Sequence, residues 1–265
     1  MNQAEQNTSS TQLPKMPRLS HCSWQLIVLF LLLFSPKLVS AQHSSLNLVF
    51  IHTVGADTLQ LGKDYLNPLG DTFSVTSFKY YIFDISFIEA GTGKKYASPS
   101  QYYLINEGDT TSKTIMLQMP PGQYSAISFS LGVDSLHNVS GVQTGALDPI
   151  NGMFWTWHTG YIMAKLEGKS PASTAPFGNI TYHIGGFKTG ENVLKQITLP
   201  LSNANLTAGN TAQLSIAADI NVWFKNANDL KIAEQPFCMN PGELALKIAD
   251  NYAGMFHVLG WVVSK

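Results

Sequence analysis

Apolar side chains recur at every second residue in the chain's clearest segments, and this spacing constrains the fold more than any other feature. Leu214, Ile216, Ala218, Ile220, Val222 and Phe224 alternate with Ser215, Ala217, Asp219, Asn221 and Trp223. Across 123–133, Ile127, Phe129, Leu131 and Val133 face one way, and Tyr124, Ala126, Ser128 and Ser130 the other. A period of two marks a half-buried strand, because successive side chains point to opposite faces. Residues 46–54, 102–105, 114–119, 161–166, 179–184 and 194–201 also have strand character. The segment 78–88, FKYYIFDISFI, is apolar on both faces for much of its length, which predicts a central place in its sheet. Turns rich in Gly, Pro, Asn and Asp separate these segments. The expected fold class is therefore all-β, an antiparallel β-sandwich or barrel-like single domain. Asn240, Pro241 and Glu243 have the spacing of a capping box, and Leu244, Ile248, Tyr252 and Met255 follow at helical intervals. They predict one short C-terminal helix ending near Gly254.

The N-terminus predicts export. Lys15 and Arg18 precede an apolar run over 24–34, and Val39, Ser40 and Ala41 supply small residues for cleavage. Residues 1–41 are thus expected to be a secretory signal peptide and 42–265 a single β domain, periplasmic or secreted. About a dozen apolar residues fall short of the roughly 20 that span a bilayer, so the mature chain is not expected to cross a membrane. Cleavage takes away Lys15, Arg18, Lys37 and Glu5 and leaves thirteen lysines facing sixteen carboxylates. A faintly acidic chain without arginine makes nucleic acid an unexpected partner. Cleavage also removes Cys22. Cys238 then has no intrachain partner and must be buried, metal-bound or paired between chains.

Catalytic signatures are absent. The sequence has no GxSxG elbow, P-loop, HExxH or paired CxxC, so an enzyme is not expected. The chemistry concentrates in NGMFWTWHTGY, residues 151–161. In an extended chain Met153, Trp155 and Trp157 share one face, and Phe154, Thr156 and His158 the other. Such a run is either an aromatic core rung or a soft-ligand site, since thioether, imidazole and π-faces suit cuprous ions and flat ligands. His52 follows Leu46, Leu48 and Phe50 on one strand face, which makes it either a hydrogen-bonded core histidine or a well-held metal ligand. His183 alternates with Ile180, Tyr182 and Ile184 and belongs with Thr181 on the opposite face. His257 comes just after the expected helix, where a chain end could fold over a site; His137 has the setting of a loop residue. No two histidines have local metal-ligand spacing, so a metal centre must be assembled from distant strands. Soft and imidazole donors outside the cytoplasm favour copper over zinc or calcium.

The run GVDSLHNVSGVQTGALDPINGMFWTWHTGYIMAKLEG at 132–168, followed by FGNITYHIGGF at 177–187, resembles the MbnP-like copper-binding domain family of bacterial exported proteins. FIHTVG at 50–55, FKYYI at 78–82 and IADNYAGMFHV at 248–258 are similar to further family segments. The resemblance implies a β-rich exported protein that binds copper for acquisition or storage, with a periplasmic or membrane copper-handling partner. Carried onto this chain, it implies metal ligands at His52, His183 and Trp155 or Trp157, with Met153 or His257 completing the site. Asp148 and Asn151 match polar turn residues that order the loop. Methanobactin-linked members of the family carry a His before the DP pair and a Cys after the HxG strand. GALDP and HIGGFKTG have neither here. The alternative class is a metal-free exported β-sandwich that binds glycan or protein partners through its aromatic residues.

Overall fold

The computed structural model describes residues 44–141, 143–156 and 159–264. The segment 1–41 expected to be a signal peptide, with Cys22, lies outside the described residues, as do Trp157 and His158. The chain begins with β1 (Ser44–Val54), β2 (Asp57–Thr58), β3 (Asp64–Leu66), β4 (Thr72–Glu89), β5 (Lys95–Ala97) and β6 (Tyr103–Asn106). There follow β7 (Thr114–Met119), β8 (Gly122–Leu131), helix α1 (Ser135–Val139), β9 (Phe154–Thr156), β10 (Gly160–Tyr161), β11 (Ala164–Lys169) and β12 (Asn179–Ile184). The remainder holds β13 (Lys195–Leu206), β14 (Thr211–Asp219), one helical turn α2 (Asn221–Phe224), β15 (Phe237–Cys238), α3 (Glu243–Tyr252) and β16 (Phe256–Ser264).

Alternation does in three dimensions what it promises in sequence. β1 buries Ser44, Leu46, Leu48, Phe50, His52 and Val54 and half-exposes the residues between them. One sheet runs in the order β16, β14, β1, β2, with β7 also paired to β1. The other runs β13, β8, β4, β11, β12, β15, with β3, β5 and β6 paired along β4. Aromatic side chains join the two sheets face to face. Phe50 of β1 lies 6.0 Å from Phe129 of β8 and 6.2 Å from Tyr80 of β4, and Phe256 of β16 lies 5.1 Å from Phe129, all edge-on. Pairs of this kind contribute about 0.5–1.5 kcal/mol each beyond the area they bury. The fold is a β-sandwich with β4 central in its sheet, as the apolar run at 78–88 predicts. Its sheets are mixed, not purely antiparallel: β1 runs parallel to β14, and β12 parallel to β15.

Two expected strands are shorter than predicted. The alternating segment 214–224 stops at Asp219 and turns into α2, where the Asp219 carboxylate accepts hydrogen bonds from the backbone N–H of Gly55 and Asn221. The turn lets the adjacent residues Trp223 and Phe224 both be fully buried, whereas a strand would send one of them outward. The segment 161–166 splits between β10 and β11, because the chain crosses there from a surface layer into the sheet; Ile162 N–H bonds to Met153 and Met163 N–H to Ile184. The C-terminal helix forms and buries Ile248 and Tyr252, but without the capping box. Gly242, at φ 140°, precedes its first residue and no side chain caps it. Asn240 and Pro241 lie before it, and Pro241 instead packs toward Gly186.

Tyr80 and Tyr81 point to opposite faces of β4. Tyr80 enters the sandwich, while Tyr81 joins Val133, Leu147, Met153, Tyr161 and Ile162 in a second apolar cluster on the outer face. Segment 133–163, with α1, β9 and β10, forms a third layer over that face. Asn138 ties this layer down. Its buried amide donates to the carbonyls of Val133 and Asp134 and accepts from Tyr161 N–H, so Asn138 is enclosed. Cys238 is a buried free thiol. No described helix is long and apolar enough to cross a membrane.

Candidate metal centre

His52 is 1% exposed, and both of its ring nitrogens are engaged. Nδ1 lies 2.7 Å from Glu107 Oε2 and Nε2 lies 3.0 Å from the Tyr80 hydroxyl. An ionised carboxylate only accepts, so Nδ1 carries the proton and the Tyr80 O–H donates to the Nε2 lone pair. Lys113, 2.8 Å from Glu107, completes the network. Burial pushes the His52 imidazole below its ordinary value, against the pull of Glu107. Burial would raise the Glu107 carboxyl, but His52 and Lys113 together hold it below the usual range. The imidazole is neutral and its lone pair is capped. That is the arrangement of a satisfied core histidine, not of an open ligand.

His183 is in a different environment. In the register of β4, β11 and β12, Lys79, Lys165 and His183 form one row across the outer face of the sheet. His52 packs edge-on against Phe78, 4.8 Å away, on the inner face. The sheet therefore stands between the two imidazoles, and the fold does not bring His52 and His183 to a common ion. On the outer face His183 Nε2 meets Glu167 Oε1 at 2.6 Å, and no other hydrogen-bond partner of the ring is present among the described residues. The hydrogen bond from His183, and then Lys165, hold the Glu167 carboxyl below its ordinary range. Two like charges side by side on a sheet repel. Here Lys79 and Lys165 each find a loop carbonyl, on Asn151 at 3.2 Å and on Gly152 at 2.8 Å, and so pin the third layer to the sheet.

The other predicted residues divide between the two sheets. Trp155 belongs to the same outer layer as His183. Its six-membered ring lies over Gly185, the next position on that face beyond His183, where a Cβ would come within 2.7 Å of Cζ3. The buried indole Nε1 has no hydrogen-bond partner among the described residues. Met153 is fully buried in the outer cluster. Asp148 accepts from Ile150 N–H, and the Asn151 amide donates to the carbonyls of Gly145 and Ala146, so both organise the turn. His257 is exposed on β16, in a trough of about 470 Å³ shared with Leu199, Leu201 and Trp261 of the β13 and β16 edges. Four strand spacings separate β13 from β12, roughly 19 Å at 4.8 Å each, which keeps His257 away from His183. Among the described residues no three His, Cys, Asp or Glu side chains are grouped to hold a metal ion.

Lys79 and Lys165 carry no motif in the sequence, and Glu167 stands out there only as a carboxylate without the spacing of a calcium loop. The signal was present in AKLEG, where Lys165 and Glu167 alternate outward on a strand adjoining that of His183. A second polar cluster also escapes the sequence: Asp134 Oδ2 takes the Tyr102 hydroxyl at 2.6 Å and His137 Nδ1 at 2.8 Å, and Asp134 caps α1.

The MbnP family model matches residues 43–240, which include β1, the third layer, AKLEG and HIGG. The chain belongs to the MbnP family. Among solved structures it is similar to MbnP from Methylosinus trichosporium, at 14% identity and a TM-score of 0.47, over 71% of this chain and 80% of that one. No curated protein matches it. On this MbnP-family scaffold the two imidazoles differ in whether a ring nitrogen is left open. His183 has one ring nitrogen without a hydrogen-bond partner among the described residues, on the face where the Trp155 ring lies over Gly185, whereas His52 offers no free lone pair.

Proposed function

We propose that this protein is an exported copper-binding protein, serving acquisition or storage, and that His183 anchors the metal on the outer face of the β4–β11–β12 sheet. Membership of the MbnP family, which is associated with copper-related systems, supports the reading. The observation that carries it is the Glu167–His183 pair. Imidazoles that ligate metals nearly always give their other ring N–H to a carboxylate, carbonyl or water, and His183 has this arrangement before any metal binds. Met153 and Trp155 supply soft and aromatic surroundings from the loop above. The role of His52 is structural and that of His257 is peripheral.

The test is metal analysis of protein recovered from a copper-fed periplasm, comparing His183→Ala with His52→Gln. Loss of copper in the first and retention in the second is expected. Stoichiometric copper in His183→Ala would reject the assignment.

A metal-free glycan- or protein-binding module is the second reading, favoured by the capped lone pair of His52. Glycan binding by metal-free protein, abolished in Trp157→Ala, would select it.

A further inference from the structure

Glu167 sits diagonally across the β11–β12 ladder from His183: Lys165 pairs with His183, and Glu167 with Thr181. Both strands lie inside the sheet, with β4 on the far side of β11, so the backbone that carries the two side chains is fixed on both flanks. Lys165 Nζ lies 3.6 Å from the same Glu167 oxygen and holds the carboxylate ionised and acceptor-only. The proton in the 2.6 Å contact must therefore belong to His183 Nε2.

We propose that Glu167 is a positioning residue that fixes His183 as the Nε2–H tautomer and leaves the Nδ1 lone pair as the atom that meets the metal. This rests on the copper reading above. His52 shows the opposite assignment within the same fold. There a carboxylate takes the Nδ1 proton and a tyrosine hydroxyl closes the remaining lone pair. Of the three carboxylate–histidine pairs among the described residues, His52 and His137 meet their carboxylates through Nδ1, and only His183 does so through Nε2 and leaves its Nδ1 open.

The experiment has two readouts on the full mature protein. Long-range proton–nitrogen NMR of metal-free, 15N-histidine-labelled protein identifies which His183 nitrogen carries the proton. Titration with cuprous ion alone, against a chromophoric cuprous chelator, measures affinity. Wild type is expected to show the proton on Nε2. Glu167→Gln, whose amide can donate as well as accept, is expected to lose that preference and weaken cuprous binding about 10–100-fold. Glu167→Asp is expected to fall between the two. A wild-type proton on Nδ1, or a Glu167→Gln spectrum unchanged at His183, would overturn the positioning role whatever happens to copper. If the tautomer is as stated and His183→Ala binds cuprous ion as tightly as wild type, the copper reading falls and the ligand role of Nδ1 falls with it.

Discussion

At the scale of single residues, the buried polar groups separate two kinds of task. The His52 network is complete, and its acid lability can be worked out. Its imidazole titrates below the ordinary histidine value in the folded protein, so between that value and about 6.5 the unfolded chain holds the proton more tightly. Stability is full above about pH 6.5 and falls as pH drops toward the folded value. Denaturant unfolding of metal-free protein between pH 7.5 and about 5 should show this slope, and His52→Gln should flatten it. Tyr81 is the contrary case. Its buried hydroxyl has no hydrogen-bond partner among the described residues, and an orphaned group of this kind costs about 1–3 kcal/mol. Tyr81→Phe is expected to stabilise the protein by about 1 kcal/mol in urea unfolding, and a loss of stability would mean that the hydroxyl has an undetected function.

At the scale of elements, the close approach of β9 to the end of β12 depends on a missing side chain. A Cβ at Gly185 would stand 2.5 Å from the Tyr161 carbonyl and 2.7 Å from the Trp155 ring. Gly185→Ala should cost about 1–3 kcal/mol through overpacking and shift the Trp155 fluorescence, whereas unchanged emission would argue against the packing described. The strand Thr114–Met119 was legible to the residue because one face of it is buried, and burial of one face writes itself into alternation; Asn179–Ile184 alternates as far as Tyr182 and is buried on both faces beyond it. The segment 214–224 misled at its end because Trp223 and Phe224 are both apolar, and only the surrounding core decides that both turn inward. The site was half legible. His183 fell on the correct face by alternation. Its pairing with His52 failed because period two gives each residue's face but not which faces of two sheets meet.

At the scale of the whole molecule, the sandwich needs its last tenth, residues 241–265. Tyr252, Met255 and Phe256 are core residues, and β16 covers β14 along its length, all beyond the last residue matched by the family model. A chain cut after Asn240 is expected to lose cooperative thermal unfolding, which calorimetry would detect. A single sharp transition in that fragment would show that the first 240 residues close a core of their own.

The parallel pairing of β1 with β14 has a consequence for the order of assembly. Ser45 lies beside Thr211, 166 residues later, so the β14 edge of β1 closes after β2 and β7 are available to pair along its other edge. Chain closure over that distance is slow, on the millisecond-to-second scale typical of non-local β folds or longer. In pulsed hydrogen exchange during refolding, the β1 amides that bond to β14 should gain protection after those of the β4–β8 pair. Until then an apolar ribbon of Leu46, Leu48 and Phe50 stays unsheltered, and a holding chaperone would have its natural point of grip there.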